Sequence, residues 1–353
     1  MYRKIIGFLE AWKKSEHRKP LILQGARQVG KTYSILEFGR THYENVVYFN
    51  FETNPKLNET FAENISPDYL IPILSHIAGQ TIVKEKTLVV FDEVQLCERA
   101  LTSLKYFCED APEYHIIVAG SLLGVAVNRA KFSFPVGKVD MKTMYPMDME
   151  EFMLALGAND LVEQIKKCFH TDTPLPSALH DAAMQLYRQY LVVGGMPECV
   201  LQFAETKDYI LVRHTQDTIL ASYLNDMSKY NNLNEIKKTR LAYDNITVQL
   251  SKKNTRFQYK LLKKGGRASE FENAIEWLCL SGIVSQVYKV EQIKKPLENY
   301  RDIDAFKIYV SDLGLLCAKK DLAANDILYM VEEINDFKGG MAENYVNVRL
   351  TMN

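Results

Sequence analysis

Short apolar runs alternate with amphipathic stretches in the first part of the chain, which is typical of a parallel sheet with helices on its faces. The predicted strands are residues 20–24, 45–51, 86–93 and 114–121, and a further strand-like stretch ends near residue 146. The predicted helices between them are residues 32–40, 58–80 and 100–109. This alternation predicts an α/β core over residues 1–146.

The pattern becomes helical in the next part of the chain. The predicted helices are residues 149–156, 161–169, 178–193 and 208–226. Gly194, Gly195, Met196 and Pro197 follow the third of them and predict a stop. We therefore expect a helical lid domain over residues 147–230.

A third pattern begins near residue 231. Helices are predicted at residues 235–252 and 269–281, with a short element at 257–263 between them and strands at 283–290 and 306–310. Helices followed by a two-stranded hairpin predict a winged-helix domain over residues 231–320. Residues 321–353 are expected to begin a further domain.

Composition is that of an ordinary globular protein, with 353 residues, a net charge of −1 and 47% hydrophobic residues. Any nucleic-acid surface must therefore be local. The six cysteines form no C-x-x-C pair, which favours reduced thiols over a zinc site or a disulfide framework. Charges interrupt the N-terminal stretch too early for a signal peptide, and no apolar run predicts a membrane span, so we expect a cytoplasmic protein.

A phosphate-binding loop pattern, G-x-x-x-x-G-K-[ST], follows the first predicted strand and opens a helix. Its residues are Gly25, Ala26, Arg27, Gln28, Val29, Gly30, Lys31 and Thr32, with Tyr33 next to them. The glycines let backbone N–H groups turn toward phosphate oxygens, Lys31 can reach the β- and γ-phosphates, and the Thr32 hydroxyl can bind Mg²⁺. The alternative is a glycine-rich turn with a surface lysine.

Two carboxylates, Asp92 and Glu93, end the apolar run at residues 86–93. Carboxyl ends of strands are where α/β sheets bind ligands. We expect Asp92 to hold Mg²⁺ through water and Glu93 to orient the attacking water. This pair favours a nucleoside triphosphatase over a small-molecule kinase; the alternative is an exposed acidic strand end.

Ser121, at the end of the next predicted strand, is a candidate sensor of the γ-phosphate, with Gln95 as a second polar group. Helix capping by Ser121 is an equally good explanation. An amphipathic helix is also predicted over residues 1–19, and a helix that covers the core is the stronger expectation. Tyr2 or Arg3 of this helix could also lie beside a nucleotide base.

The densest basic run lies between residues 252 and 267 and includes Lys263, Lys264 and Arg267. These three residues could contact DNA phosphates. A solvated face or a subunit contact explains the same charges and is the stronger expectation.

Together these motifs resemble a prokaryotic family of AAA-like P-loop ATPases with a helical lid, a winged helix and a C-terminal domain of unknown function. Further signatures of the resemblance are residues 144–146, 150–152, 190–198, 305–309 and 312–316. The resemblance implies ATP and Mg²⁺ as ligands and a cytoplasmic protein, but no partner. Arg129 and Lys138 follow the predicted Ser121 strand and are candidates for a cation that acts on a neighbouring copy in a homo-oligomer. Some relatives have Arg where this chain has Lys138.

Relatives continue into a nuclease-like fold, whose first acidic position matches Glu343. The chain carries no later strands for the remaining metal ligands, so we expect no nuclease activity, and Glu343 as a surface residue. Because Gly339 and Gly340 read as a hinge, residues beyond 339 are expected to be loosely packed.

The sequence thus predicts a Mg²⁺-dependent ATPase that acts as a nucleotide-driven switch on DNA or a protein. The alternative is a nucleotide-regulated DNA- or protein-binding module with negligible turnover. The intact Glu93 favours the first, and the lack of an obvious arginine finger favours the second.

Overall fold

The structure is a computed structural model that describes residues 1–121, 123–124, 134–229, 233–252 and 256–352. The chain divides into two compact units. The first unit is Arg3–Tyr145, and the second is Pro146–Asn353 together with Met1–Tyr2.

A five-stranded parallel sheet forms the centre of the first unit. Its strands are β1 Leu21–Gln24, β2 Asn45–Asn50, β3 Thr87–Asp92, β4 His115–Ala119 and β5 Asp140–Thr143. The helices around it are α1 Ile5–Lys14, α2 Lys31–His42, α3 Leu57–Glu63, α4 Pro67–Ala78 and α5 Glu98–Asp110. The spatial order is β2-β3-β4-β1-β5, so one strand, β4, separates the two that precede the phosphate-binding loop pattern and the Asp92-Glu93 pair.

Burial explains why these segments form strands. Every residue of β3 is buried, as its continuous apolar run predicts. The edge strand β2 instead alternates at its centre, with Val47 and Phe49 buried and Tyr48 exposed. Phe51, just after this strand, packs edge-to-face against Phe61 and Phe91 with ring centroids 5.6–6.0 Å from each other. This aromatic cluster packs in the core on one face of the sheet, next to the carboxyl ends of β2 and β3.

The second unit begins with helices. They are α6 Met149–Ala155, α7 Asn159–His170, α8 Ser177–Val193, α9 Pro197–Thr206 and α10 Tyr209–Lys229. Helix α9 was not predicted, because Pro197 reads as a stop. In the structure Pro197 occupies the first helical position, where its fixed φ suits the helix and its missing N–H costs nothing.

A buried carboxylate joins two glycine-containing segments of this unit. Asp312 Oδ2 accepts a hydrogen bond from the Gly195 N–H at 2.6 Å, and Oδ1 accepts one from the Leu315 N–H at 2.8 Å. A Cβ on Gly195 would lie 1.9 Å from the Met147 carbonyl oxygen, so the backbone can pass only because this residue is glycine. Burial raises the pKa of Asp312 to about 6, although backbone hydrogen bonds oppose the shift.

The rest of this unit contains helices α11 Leu233–Ser251 and α12 Ala268–Leu280, strands β6 Val284–Val290 and β7 Arg301–Val310, and helices α13 Leu313–Lys319, α14 Ala324–Leu328 and α15 Asn335–Met352. The two strands pair antiparallel, with Val284 opposite Val310. The element order is the one expected of a winged helix, and that classification stays a prediction.

The expectation of a loosely packed end is wrong over the residues described. Gly339 and Gly340 lie inside α15 rather than in a hinge. A Cβ on Gly340 would lie 2.6 Å from the Leu250 carbonyl oxygen, so glycine allows two helices to approach closely. The buried Asn344 side chain accepts from the Val310 N–H and donates to the Val310 carbonyl, both at 2.9 Å, which ties α15 to β7. Glu343 is exposed and pairs with Lys307 at 2.7 Å.

Candidate functional site

The phosphate-binding loop pattern occupies the turn from β1 to α2, at the carboxyl edge of the sheet. Gly25 has φ +144°, and a Cβ there would lie 2.1 Å from the Met144 carbonyl oxygen. Gly30, with φ +89°, is the N-cap of α2. Both positions therefore require glycine, for space or for backbone conformation. Of the other candidate loop residues, Ala26 and Val29 are buried, and Arg27, Gln28 and Tyr33 are partly or largely exposed.

The buried Lys31 side chain folds back over this loop. Its ammonium group donates to the carbonyl oxygens of Gly25 at 2.9 Å and Ala26 at 2.7 Å. Burial lowers the pKa of Lys31 to about 8, while the nearby Glu93 and Asp92 carboxylates act in the opposite direction. The group thus stays mainly protonated at neutral pH, next to the loop glycines.

Three donors converge on the Asp92 carboxylate at the end of β3. Oδ2 accepts from the Thr32 hydroxyl and from the Tyr48 phenol, each at 2.7 Å, and Oδ1 accepts from the Glu93 N–H at 2.9 Å. The structure therefore brings the predicted pair Thr32 and Asp92 into direct contact. Partial burial raises the pKa of Tyr48 to about 12, so its phenol keeps its proton and can donate.

Glu93 follows in a left-handed conformation, with φ +51°. Its carboxylate accepts a hydrogen bond from the Gln95 side-chain amide, so these two predicted residues also lie together. The Gln95 Oε1 atom is buried and has no hydrogen-bond partner in the described part of the chain. A Cβ on Gly120 would lie 2.2 Å from that atom, which places Gln95 against the end of β4.

Ser121 is buried directly after β4, on the same edge of the sheet. Residue 122 and residues 125–133 lie outside the described part. A γ-phosphate sensor and a helix cap both stay predictions for Ser121. Arg129 lies outside the described part as well.

Lys138 occupies a different place from the loop. It lies just before β5, at the amino edge of the sheet, and its ammonium group pairs with Glu109 at 2.8 Å. This position excludes a direct contact with the loop of its own core, and action on a neighbouring copy stays a prediction.

Arg3 is a site residue that the sequence did not reveal in its observed role. Its guanidinium is buried and donates to the carbonyl oxygens of Val29 at 2.9 Å and Tyr145 at 2.8 Å. It thus links the phosphate-binding loop pattern to the end of this unit, and a place for Tyr2 or Arg3 beside a nucleotide base stays a prediction. No local motif marks this contact, because it joins residues far apart in the sequence.

The predicted DNA-contacting lysines and arginine lie in the second unit, around the start of α12. Lys263 pairs with Glu270 at 3.1 Å, and the backbone N–H of Arg267 donates to the same carboxylate at 3.3 Å. Lys264 is exposed. Part of this positive charge is therefore balanced locally. No helix among the described residues combines the length and apolarity needed to cross a membrane.

Comparisons with known proteins assign the two parts of the chain separately. Residues 17–153 match a family model described as an AAA domain, and residues 184–326 match a domain of unknown function, DUF8612. No match was found among curated proteins.

Among solved structures, the chain is similar to a Walker-type ATPase of Pyrococcus abyssi, with 13% identity and a TM-score of 0.55 over 90% of this chain and 95% of that one. It also matches the Aeropyrum pernix ORC2 protein, with 12% identity and a TM-score of 0.40 over 99% and 96%. The RuvB protein of Thermotoga maritima matches with 15% identity and a TM-score of 0.36 over 80% and 87%. The last two scores are too low to support an argument. Residues 17–153 thus match the model of an AAA domain, residues 184–326 match that of a domain of unknown function, and the chain has the fold of the Walker-type ATPase of Pyrococcus abyssi.

Proposed function

We propose that this protein binds ATP with Mg²⁺, hydrolyses it slowly, and acts as a nucleotide-driven switch on DNA or a protein partner in the cytoplasm. One observation carries the proposal. Two segments far apart in the sequence meet at the carboxyl edge of the sheet and bring together the side chains of Lys31, Thr32, Asp92 and Glu93. The Thr32 hydroxyl and the Asp92 carboxylate are 2.7 Å apart.

The residues present fit a nucleotide with a bound metal ion. Gly25 and Gly30 both have positive φ, a backbone conformation that lets N–H groups of the loop turn toward a bound anion. Lys31 can exchange its two carbonyl acceptors for phosphate oxygens, which are stronger acceptors because they are charged. A hydroxyl and a carboxylate, from Thr32 and Asp92, are the oxygen ligands that Mg²⁺ takes directly or through water. When bound, the ion neutralises charge on the phosphates.

Glu93 is the proposed general base. Its carboxylate lies next to Asp92 and is oriented by the Gln95 amide. The Glu93 carboxylate, held in place by this hydrogen bond, can polarise a water molecule for attack on a phosphate.

Steady-state phosphate release tests these roles. Glu93→Gln should keep ATP affinity within about twofold and slow hydrolysis by roughly 10²-fold or more, because a general base contributes roughly 10²–10⁴-fold. Glu59→Gln, on the exposed face of α3, is the control and should match the wild type. An unchanged rate in Glu93→Gln would remove Glu93 from the mechanism.

Slow turnover in isolated copies is the part of the proposal that involves oligomers. The only candidate cation in the described part, Lys138, is paired with Glu109 and lies away from the loop of its own core. A cation supplied by a neighbouring copy, from Arg129 or Lys138, is typically worth roughly 10³–10⁵ in rate. Activity per subunit should therefore rise with protein concentration, and Arg129→Ala or Lys138→Ala should abolish the rise. A flat profile from dilute to concentrated protein would overturn this part.

The same ion pair also favours the alternative, a nucleotide-regulated binding module with negligible turnover. Measuring ATP hydrolysis with and without DNA separates the two functions. Turnover that exceeds the Glu93→Gln background supports the ATPase, and nucleotide-dependent partner binding without turnover supports the module.

A further inference from the structure

Two hydroxyl groups donate to the same oxygen of Asp92. Thr32 belongs to the phosphate-binding loop pattern and donates at 2.7 Å, and Tyr48, which belongs to no motif, donates at the same distance. Asp92 itself is only 5% exposed. The phenol of Tyr48 is therefore part of the site, although nothing in the sequence marks it.

The register of the sheet places Tyr48 there. Strand β2 pairs in parallel with β3, with Tyr48 opposite Val90 and Asn50 opposite Asp92. Since side chains two residues apart point to the same face of a strand, Tyr48, Asn50 and Asp92 share one face. Phe49 points to the other face, into the core. A shift of one residue would exchange these side chains, so core packing fixes the position of the phenol.

Asn50 determines the direction of the phenolic hydrogen. Its side-chain N–H donates to the Tyr48 hydroxyl oxygen at 3.1 Å. The other end of the Asn50 amide accepts from the N–H groups of Glu52 at 2.8 Å and Thr53 at 3.0 Å, which fixes the orientation of the amide. With its oxygen accepting from Asn50, the Tyr48 hydroxyl directs its own hydrogen to Asp92.

An ionised carboxylate offers about four acceptor positions. In Asp92, three are filled, by Thr32, Tyr48 and the Glu93 N–H. One position, on Oδ1, is left to accept a hydrogen bond from outside. We infer that Tyr48 is a positioning residue that holds Asp92 so that its remaining acceptor position faces the water shell of Mg²⁺. The inference rests on the proposed function.

This role differs from a contribution to folding. The Tyr48 side chain lies on the edge strand and the residue is 40% exposed, so its removal leaves the buried aromatic cluster intact. Its hydroxyl can be deleted without changing the ring. Residues that orient a metal ligand are typically worth about 10–100-fold in metal affinity, and partial exposure places Tyr48 near the lower limit.

The test is a Mg²⁺ titration of the binding of a fluorescent, slowly hydrolysed ATP analogue to the full chain with Tyr48→Phe. We expect the Mg²⁺ concentration for half-maximal enhancement of binding to rise about tenfold. Affinity for the analogue in EDTA should stay within about twofold of the wild type, because no Tyr48 contact to the nucleotide is proposed. The matched control is Tyr69→Phe, which removes another phenol that donates to a carboxylate, that of Glu63, on the surface of the same unit.

Three results would overturn the inference. An unchanged Mg²⁺ requirement in Tyr48→Phe, with a wild type that binds the analogue, would contradict it and leave the proposed function intact. An equal loss of affinity with and without Mg²⁺ would show a structural role. A wild type that binds no nucleotide at all would overturn the proposed function, and the inference with it.

Discussion

In each unit a glycine lets the backbone pass close to a carbonyl oxygen, but the anion bound next to that glycine differs between the units. In the first, Gly25 lets the loop after β1 pass the Met144 carbonyl, and in the second, Gly195 lets the chain pass the Met147 carbonyl. Gly195 then gives its N–H to Asp312, a carboxylate of the protein itself. In the loop, the proposed anion is a phosphate from solution. Backbone N–H groups next to a glycine can bind an anion. In the second unit that anion is the Asp312 side chain, and in the first it is the proposed phosphate.

The two carboxylates show the same difference. Asp312 is fully enclosed and accepts from the backbone N–H groups of Gly195, Gly314 and Leu315. Asp92 accepts from two side-chain hydroxyls and one backbone N–H. It lies at the carboxyl end of β3, near Lys31 and Glu93. The backbone N–H donors of Asp312 are held in place by the fold. The side-chain hydroxyls that donate to Asp92 can rotate and exchange partners when a ligand binds.

The largest expected effect is on the close contact at Gly195 and its hydrogen bond to Asp312. Gly195→Ala places a methyl group 1.9 Å from the Met147 carbonyl oxygen, so the backbone must move and the hydrogen bond to Asp312 must weaken. We expect a loss of about 3–5 kcal/mol in the free energy of unfolding, measured by urea denaturation. The matched control is Gly339→Ala, which lies in a helix with open space around it. Because alanine favours helix, this change should be neutral or stabilise by about 0.5–1 kcal/mol. Equal effects of the two changes would refute the assigned close contact.

A smaller effect concerns pH. Since the pKa of Asp312 is raised to about 6 in the folded protein, the folded state binds more protons than the unfolded chain between pH 4 and 6. Its contribution to stability is therefore greatest below about pH 4 and falls by up to about 3 kcal/mol as the pH rises through 6.

Asp312→Asn removes this titration and also replaces one of the two acceptor oxygens with an NH₂ group, which cannot accept from the backbone donor that faces it. We expect the variant to be less stable than the wild type at each pH, with the largest deficit near pH 4.5 and a smaller one at pH 7.5. Urea denaturation at these pH values measures the difference. A deficit that grows toward pH 7.5 would mean that the pKa is lowered, and that the backbone donors outweigh burial.

The smallest expected effect is on DNA binding by the second unit. If Lys263, Lys264 and Arg267 bind phosphates, replacing all three with alanine should weaken binding similarly for unrelated sequences. It should also reduce the salt dependence of log K by about 0.9 for each phosphate that the variant no longer neutralises. Fluorescence anisotropy at several salt concentrations measures this. Because Lys263 already pairs with Glu270, we expect the slope to change by less than the full value for three phosphates. No DNA binding by the wild type at low salt would leave this surface to a protein partner.

Much of the first unit could be predicted because its signals are local. The buried run of β3 and the glycine-rich turn before α2 are visible in short stretches of sequence, and the five-stranded parallel sheet confirms the predicted core. The contacts of Arg3 and Tyr48 could not be predicted in this way. They depend on strand register and on residues that are distant in the chain.

The errors in the second unit have two physical causes. Pro197 and the pair Gly339 and Gly340 are residues that usually break helices, so the sequence predicts a stop and a hinge there. Proline is well tolerated in the first helical turn, where Pro197 lies. Gly340 is needed where α15 passes the Leu250 carbonyl, a contact that exists only in the folded protein. Local propensity was outweighed by helix position in one case and by packing in the other.

The proposed function depends most directly on whether Lys31 binds a nucleotide. Isothermal titration of the wild type with a slowly hydrolysed ATP analogue and Mg²⁺ should show one saturable site. Lys31→Ala should weaken that binding at least about 100-fold, since a buried phosphate loses its counter-charge. Lys105→Ala, on the exposed face of α5, should leave it unchanged. Wild-type affinity in Lys31→Ala, or no binding by the wild type, would contradict the account.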